Sequence, residues 1–138
     1  MTLKKRGLVP EFCVSDIGVS RAFYTNVLGF DVAFERPEDG FVYLSREGAE
    51  LMLDVIETGR TWLTAPLEAP FGRGVNLQIW TEDVASLYRC VEAANATVLL
   101  PLEEKWYRIG EMRGGNKQFV VQDPDGYLLR FAQDLGMR

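Results

Sequence analysis

The chain has 138 residues, the length of one ordinary domain, and its 47% apolar and 25% charged residues exclude disordered and collagen-like classes. The formal net charge of −5 argues against a nucleic-acid partner, because an acidic surface repels phosphates. The absence of histidine excludes a Ser-His-Asp triad, a Cys-His pair and an HExxH zinc helix.

The first half of the chain predicts one helix among four strands. Residues 8–14 alternate loosely between apolar and polar and lead to Asp16, which can cap a helix. Over residues 17–28 apolar side chains recur at helical spacing, and Gly29 supplies a left-handed exit. Three β-rich runs follow at 30–34, 41–45 and 50–55, separated by turn residues. Module one, about residues 8–57, is therefore a β-α-β-β-β unit.

The second half repeats this order after a connector at residues 58–74 that is rich in Gly and Pro. A strand at 75–80 precedes a helix that begins at Val84 and closes at Asn95. Strands follow at 97–100, 118–122 and 127–132, the last two joined by a DPDG hairpin turn, and residues 101–116 read as a loop. Module two spans about residues 75–134. Superposing Ile17 on Val84 aligns both helices without a gap, which indicates a duplicated unit within a single domain.

The cysteines and the start of the chain indicate a cytoplasmic protein. Two cysteines, Cys13 and Cys90, are too few for a four-cysteine zinc site or a disulfide framework. We expect both to be small buried hydrophobes in a reducing compartment. The basic start MTLKKRG is not followed by an apolar run, and no stretch of about 18 apolar residues occurs, so neither a signal peptide nor a membrane span is expected.

Several phrases of the sequence resemble one superfamily. VSDIGVSRAFYTNVLGF, the helix start TEDV and the late DPDGYLLRF are similar to the vicinal oxygen chelate proteins, which include glyoxalases, bleomycin resistance proteins and extradiol dioxygenases. The phrase GAELMLDV, the acidic balance and the small size are most similar to bleomycin resistance proteins. The resemblance implies an α+β fold in which two βαβββ modules form a half-barrel cleft, often in a strand-exchanged homodimer. We therefore expect a homodimer.

The same resemblance bears on metal binding. The positions that ligate a divalent ion in metal-dependent relatives align here with Val9, Met52, Asn76 and Arg130. None of these is an anionic or imidazole ligand, and a guanidinium repels cations. We expect neither a metal nor another cofactor.

Strand alternation assigns side chains to the two faces of each sheet. Leu51 and Leu53 should face the helices with Val42 and Leu44, which leaves the intervening residues for the cleft. Aromatic and methionine walls with a few polar groups are typical of small-molecule pockets. The residues expected to contact a ligand are Phe41, Tyr43, Met52, Asp54, Trp62, Asn76, Trp106, Met112, Phe119 and Arg130.

Other roles remain open for several of these residues. Phe41 and Tyr43 would suit a subunit interface equally well, and Met52 and Met112 could be core fillers. Trp62 in the connector and Trp106 in the expected loop are either lids over a ligand or anchors of their segments. Arg130 could instead pair with Asp54 or Glu11.

The function expected from these features is sequestration of a cationic, bleomycin-type antibiotic without a chemical step. The acidic charge would attract such a ligand. No catalytic residue is assigned, although Glu11, Glu50 or Asp54 could serve as a base if desolvated. The alternatives are a superfamily enzyme of lyase, isomerase or dioxygenase type with a non-standard site, and a binder of another small hydrophobic metabolite.

Overall fold

The computed structural model describes residues 7–56 and 62–138. The basic start at 1–6 and the first part of the predicted connector, 58–61, lie outside the described residues. The chain divides into two compact units, Met1–Pro66 and Leu67–Arg138. Each unit contains a helix and one four-stranded sheet, which confirms the predicted α+β fold.

In the first unit, strand β1 at Glu11–Val14 is followed by helix α1 at Ile17–Ala22, which continues as a π-helical turn at Phe23–Val27. Strands β2 at Asp31–Arg36, β3 at Phe41–Arg46 and β4 at Ala49–Val55 complete the sheet. The spatial order is β1-β4-β3-β2. β1 and β4 are parallel, and the other two pairs are antiparallel.

In the second unit, strand β5 at Asn76–Trp80 precedes helix α2 at Val84–Ala93. Strands β6 at Val98–Ile109, β7 at Met112–Gln122 and β8 at Leu128–Met137 follow. The order β5-β8-β7-β6, with only β5 and β8 parallel, repeats that of the first sheet. The order of the strands and the α-helix is the same in both units, although the first unit has in addition a π-helical turn at Phe23–Val27 and a 3-10 turn at Pro37–Asp39.

The two helices begin in the same way. The Asp16 carboxylate accepts a hydrogen bond from the Val19 amide, and the Asp83 carboxylate accepts one from the Ser86 amide, both at 3.1 Å. Each aspartate satisfies an amide that has no partner within its helix. The helices start at Ile17 and Val84, the pair of residues that the sequence superposition aligned.

Each helix packs on one face of its own sheet. In the first unit Val42, Leu44, Leu51 and Leu53 are almost fully buried on this face, as strand alternation predicted. In the second unit the buried residues of α2 are Val84, Leu87 and Val91, and the sheet contributes Phe119, Val121, Leu129 and Phe131. Full burial of each such side chain is worth about 1.5–3 kcal/mol, so these faces supply the main stabilisation of each unit.

The prediction of a loop at residues 101–116 is wrong. Most of this segment forms a long antiparallel hairpin, in which β6 and β7 pair from Val98 with Val121 out to Ile109 with Met112. The mixed charges and the Gly pair of this segment suggested irregular structure. A strand whose two faces both lie near solvent, however, does not need alternating apolar residues.

Gly114 and Gly115 lie within β7. A Cβ atom at Gly115 would lie 2.6–2.7 Å from three atoms of the Trp106 ring, so this ring rests directly on the glycine backbone. The Arg138 guanidinium covers the ring at 3.9 Å from its centroid, and the Trp106 indole N–H donates to Glu104 at 3.1 Å. Trp106 therefore anchors the hairpin, one of the two roles left open for it.

The cysteines differ from their expected burial. Cys90 is exposed on α2 and Cys13 is half-buried on β1, so neither is a fully buried hydrophobe; both are free thiols. No helix within residues 7–56 and 62–138 has the length and apolar character needed to cross a bilayer.

Candidate functional site

The sheet face turned away from the helix, here called the helix-distal face, carries most of the predicted site residues. In the first unit, cross-strand register places Glu11, Met52, Tyr43 and Phe34 in one row. The adjacent row contains Cys13, Asp54, Phe41 and Arg36. Two acids and three aromatic rings thus lie on one surface, with a single cation among these eight residues.

The aromatic rings of this face pack on one another. Phe34 stacks on Tyr43 with ring centroids 4.9 Å apart and an interplanar angle of 20°, and it meets Phe41 at 5.9 Å. The Arg36 guanidinium lies 4.1 Å from the Phe41 centroid. Phe41 and Tyr43 are consequently buried, at 6% and 8% exposure, although they lie on the helix-distal face. Phe34 and Met52 remain partly exposed.

The acids of this face are incompletely neutralised. Partial burial raises the pKa of Glu11, and the neighbouring Asp54 charge raises it further, while Arg36 opposes the shift. Burial also raises the pKa of Asp54, again against an opposing effect of Arg36. Arg36 is itself hydrogen-bonded to Asp39 at 3.1 Å. The face thus holds more negative charge than its own arginine compensates.

The hydroxyl of Tyr43 adds a further polar contact, since it donates to the Glu50 carboxylate. This bond to an anion stabilises the protonated phenol and raises the pKa of Tyr43. The phenol is therefore held as a hydrogen-bond donor rather than as a base.

Near the centre of its helix-distal face, the second unit carries Arg130 among uncharged side chains. Gln78, Arg130 and Val120 form one row across β5, β8 and β7, and Trp80, Ala132 and Gln118 form the next. The buried Gln118 amide donates to Glu103 at 3.0 Å and to the Tyr107 hydroxyl at 2.7 Å. Arg130 lies on the central strand β8, where the expected alternation put it.

The Arg130 side chain has no hydrogen-bond or ion-pair partner within its own unit, and its Nε is buried without an acceptor. Glu11 and Asp54 belong to the first unit, so the contacts within the second unit do not test the alternative that Arg130 pairs with one of them, and it stays a prediction.

Phe119 is a correction to the expected site. Its ring is fully buried, stacks on Phe131 at 5.6 Å and meets Tyr88 of α2 at 5.1 Å. Cross-strand pairing with Phe131 puts it on the helix-packed face. The strand predicted around Phe119 was too short to show which face of the sheet its ring occupies. The register of β7 against β8 places the ring on the helix-packed face, in the core.

Asn76, Met112 and Trp62 lie outside the aromatic rows of the first sheet, whereas Met52 and Asp54 lie within them. Asn76 is exposed at the start of β5, and Met112 is exposed opposite Ile109 at the hairpin tip. Trp62 is 71% exposed. Asp54 and Met52 are half-buried in adjacent rows of the first sheet.

Sequence reasoning missed three residues of these faces. Phe34 reaches the helix-distal face because a bulge between Val32 and Phe34 shifts the alternation of β2, which a strict period of two does not foresee. Gln118 and Tyr107 were missed because their strands extend into the segment predicted as a loop. A predicted antiparallel pairing of residues 98–109 with residues 112–121 would have been the signal.

The donors at the four family positions do not fit a divalent metal. Val9 offers no side-chain donor, Met52 only a thioether, Asn76 an amide and Arg130 a cation, whereas such ions need carboxylate, imidazole or thiolate ligands. Across residues 7–56 and 62–138 no group of three His, Cys, Asp or Glu side chains is placed to hold an ion.

Comparison with known proteins now identifies the class. Residues 9–131 match the model of the Glyoxalase/Bleomycin resistance protein/Dioxygenase superfamily, and the chain belongs to this superfamily. No protein of curated function matches the sequence at a significant level.

The chain is also similar to several solved structures, two of which, from Micromonospora and Agrobacterium, show the same fold. The chain is similar to TioX from Micromonospora sp. ML1, with a TM-score of 0.73 and 22% identity, covering 95% of this chain and 100% of that one. A protein of unknown function from Agrobacterium tumefaciens gives a TM-score of 0.68 at 25% identity, covering 97% and 98%. A superfamily member from Vibrio splendidus 12B01 is 44% identical over 91% of this chain and 95% of that chain, with a TM-score of 0.43.

Proposed function

We propose that this protein binds a small cationic antibiotic of the bleomycin type and protects by sequestering it, without a chemical step. Superfamily membership supports the binding of a small molecule. The observation that carries the choice of a cation is the pair Glu11 and Asp54, whose pKa values are raised because burial and nearby negative charge disfavour ionisation.

A bound cation would relieve this electrostatic cost. Each carboxylate would gain a counter-charge that Arg36, engaged with Asp39 and with the Phe41 ring, does not fully supply. The attraction between the bound cation and the two carboxylates has no equivalent in the free protein. This attraction makes the face selective for positive charge.

Planar and apolar parts of the ligand would find partners on the same face. Phe34 and Met52 are partly exposed beside the two acids, and the buried rings of Phe41 and Tyr43 lie next to them on the same face. An aromatic ring contributes about 0.5–1.5 kcal/mol to stacking, and methionine adapts to irregular shapes.

The proposal includes a homodimer in the cytoplasm and no turnover. Strands β1, β2, β5 and β6 are the outermost strands of their sheets, and a sheet edge is a common place for association with a second chain. A mass of 15.6 kDa in solution at micromolar concentration would refute the dimer.

Isothermal titration with bleomycin tests the ligand. We expect saturable binding that Glu11→Gln and Asp54→Asn weaken, because each removes one of the uncompensated charges. Glu92→Gln, the same substitution at an exposed position of α2, is the matched control and should bind as the native protein does. The absence of saturable heat at micromolar protein would remove this ligand. Mass spectrometry of the recovered drug tests whether binding occurs without a chemical step, since any altered product contradicts sequestration.

A further inference from the structure

The centre of the second sheet holds a cation that its unit leaves unpaired. Arg130 lies on β8 between Gln78 of β5 and Val120 of β7, and its same-strand neighbours on that face are Leu128 and Ala132. All four surrounding residues are neutral. The Nε atom is buried without a hydrogen-bond partner, and the side chain forms no ion pair within the unit.

A buried guanidinium nitrogen without a hydrogen-bond partner lowers the free energy of unfolding. Buried donors in folded proteins are nearly always paired, because an unpaired one loses its bonds to water without replacement. An unpaired buried group calls for an explanation, and a functional role or a bound ligand is one. Arg130 is only partly buried as a whole residue, so it can be reached from solvent.

The neighbouring acid is already engaged. Glu103, on the same face in the row of Gln118, accepts the hydrogen bond of the Gln118 amide at 3.0 Å. The positions of the face on β5 are Asn76, Gln78 and Trp80, none of them acidic. No acid on this face is bonded to Arg130, so an acceptor from outside the unit would complete the site.

We propose that Arg130 binds the carboxylate of a small aromatic acid on the helix-distal face of the second sheet. The planar guanidinium presents a fork of donors that matches a carboxylate. Trp80 is 51% exposed in the adjacent row beside the small Ala132, which leaves its indole available to an aromatic body. The amide of Gln78, next to Arg130, adds a neutral donor.

This binding goes beyond the proposed antibiotic sequestration, because it concerns an anionic group and residues of the other sheet. The two proposals fail independently. Bleomycin binding tests Glu11 and Asp54, whereas the experiment below uses no cationic ligand.

The test titrates the full-length protein with 2-naphthoate and with 2-naphthamide, a neutral analogue of nearly the same shape. We expect the acid to bind at least about tenfold more tightly, the ratio typical of one hydrogen bond to a charged group. Arg130→Gln should abolish this preference. Arg130→Lys should keep part of it, since an ammonium supplies charge without the planar fork.

Two further variants control the result. Arg89→Gln removes the same charge from α2, on the opposite side of the sheet, and should leave the preference unchanged. Arg130→Met preserves the apolar stem and replaces Arg130→Gln if that variant does not fold, as judged by thermal unfolding. Equal affinity for acid and amide in the native protein, or a preference that survives loss of the guanidinium, would overturn the proposal.

Discussion

Gly115 allows a direct test of how the β6–β7 hairpin is held. In Gly115→Ala, the new methyl would lie 2.6–2.7 Å from the Cη2, Cζ2 and Cζ3 atoms of Trp106, well inside ordinary contact distance. The φ angle of Gly115 is not in the left-handed region, so alanine fits the backbone and the clash with the ring is isolated. The rigid indole must then move away from Gly115.

The cost can be assembled from the contacts of Trp106. Overpacking costs about 1–3 kcal/mol, and displacement from the Arg138 guanidinium at 3.9 Å forfeits about 0.5–1 kcal/mol of cation–π attraction. The stiffer unfolded chain of an alanine variant returns about 0.4–1 kcal/mol. The free energy of unfolding should therefore fall by about 1–3 kcal/mol, which urea denaturation measures.

Gly114→Ala is the matched control in the adjacent position. Its methyl would meet Ile109 Cδ1 at 2.6 Å, but this atom is the far end of a flexible side chain that can rotate aside. In the Trp106→Ala background, Gly115→Ala should become neutral or slightly stabilising. A loss equal to that of Gly114→Ala, or one that persists without the indole, would refute this account of the hairpin.

Three further outcomes are expected. Phe119→Ala should lower the free energy of unfolding in urea by about 3–5 kcal/mol, because its fully buried ring packs on Phe131 and α2; a loss below about 1 kcal/mol would contradict its place in the core. Hydrogen bonds from Ser86 lower the pKa of Asp83, so the Asp83 carboxylate stabilises the fold at pH values above its ordinary pKa of 3.8 and ceases to do so as pH falls through the lowered pKa. The melting temperature of Asp83→Ala should therefore approach that of the native protein in acid. A constant difference in melting temperature from pH 7 to pH 2 would count against the helix cap. Glu11 and Asp54 affect stability in the opposite direction, because their pKa values are raised and their ionised forms destabilise the fold as pH rises from the ordinary pKa values of 4.5 and 3.8 through the raised ones. The double variant Glu11→Gln/Asp54→Asn should therefore melt higher than the native protein at pH 7 but not at pH 3. Equal melting temperatures at pH 7 would argue that these charges are compensated.

The helix-distal faces show why sequence reasoning placed some site residues and missed others. Met52 and Asp54 follow the regular alternation of β4, so counting by two assigned them to the face where the register puts them. Phe34 lies beyond a bulge, and no local pattern announces the extra residue. Phe119 belongs to a strand that was predicted too short to fix its parity, and only pairing with Phe131 places it in the core.

The sequence by itself determined the helix starts, the repeated order of elements and the helix-packed core. These depend on residues a few positions apart, such as Asp16 and Val19, whose interaction needs no distant partner. Tertiary structure decided the full length of the hairpin, the burial of Phe41 beneath Arg36 and the lack of a partner for Arg130 within the fully described second unit. Those features depend on which strands become neighbours and in which register, and this is set by packing of the whole sheet rather than by any local pattern.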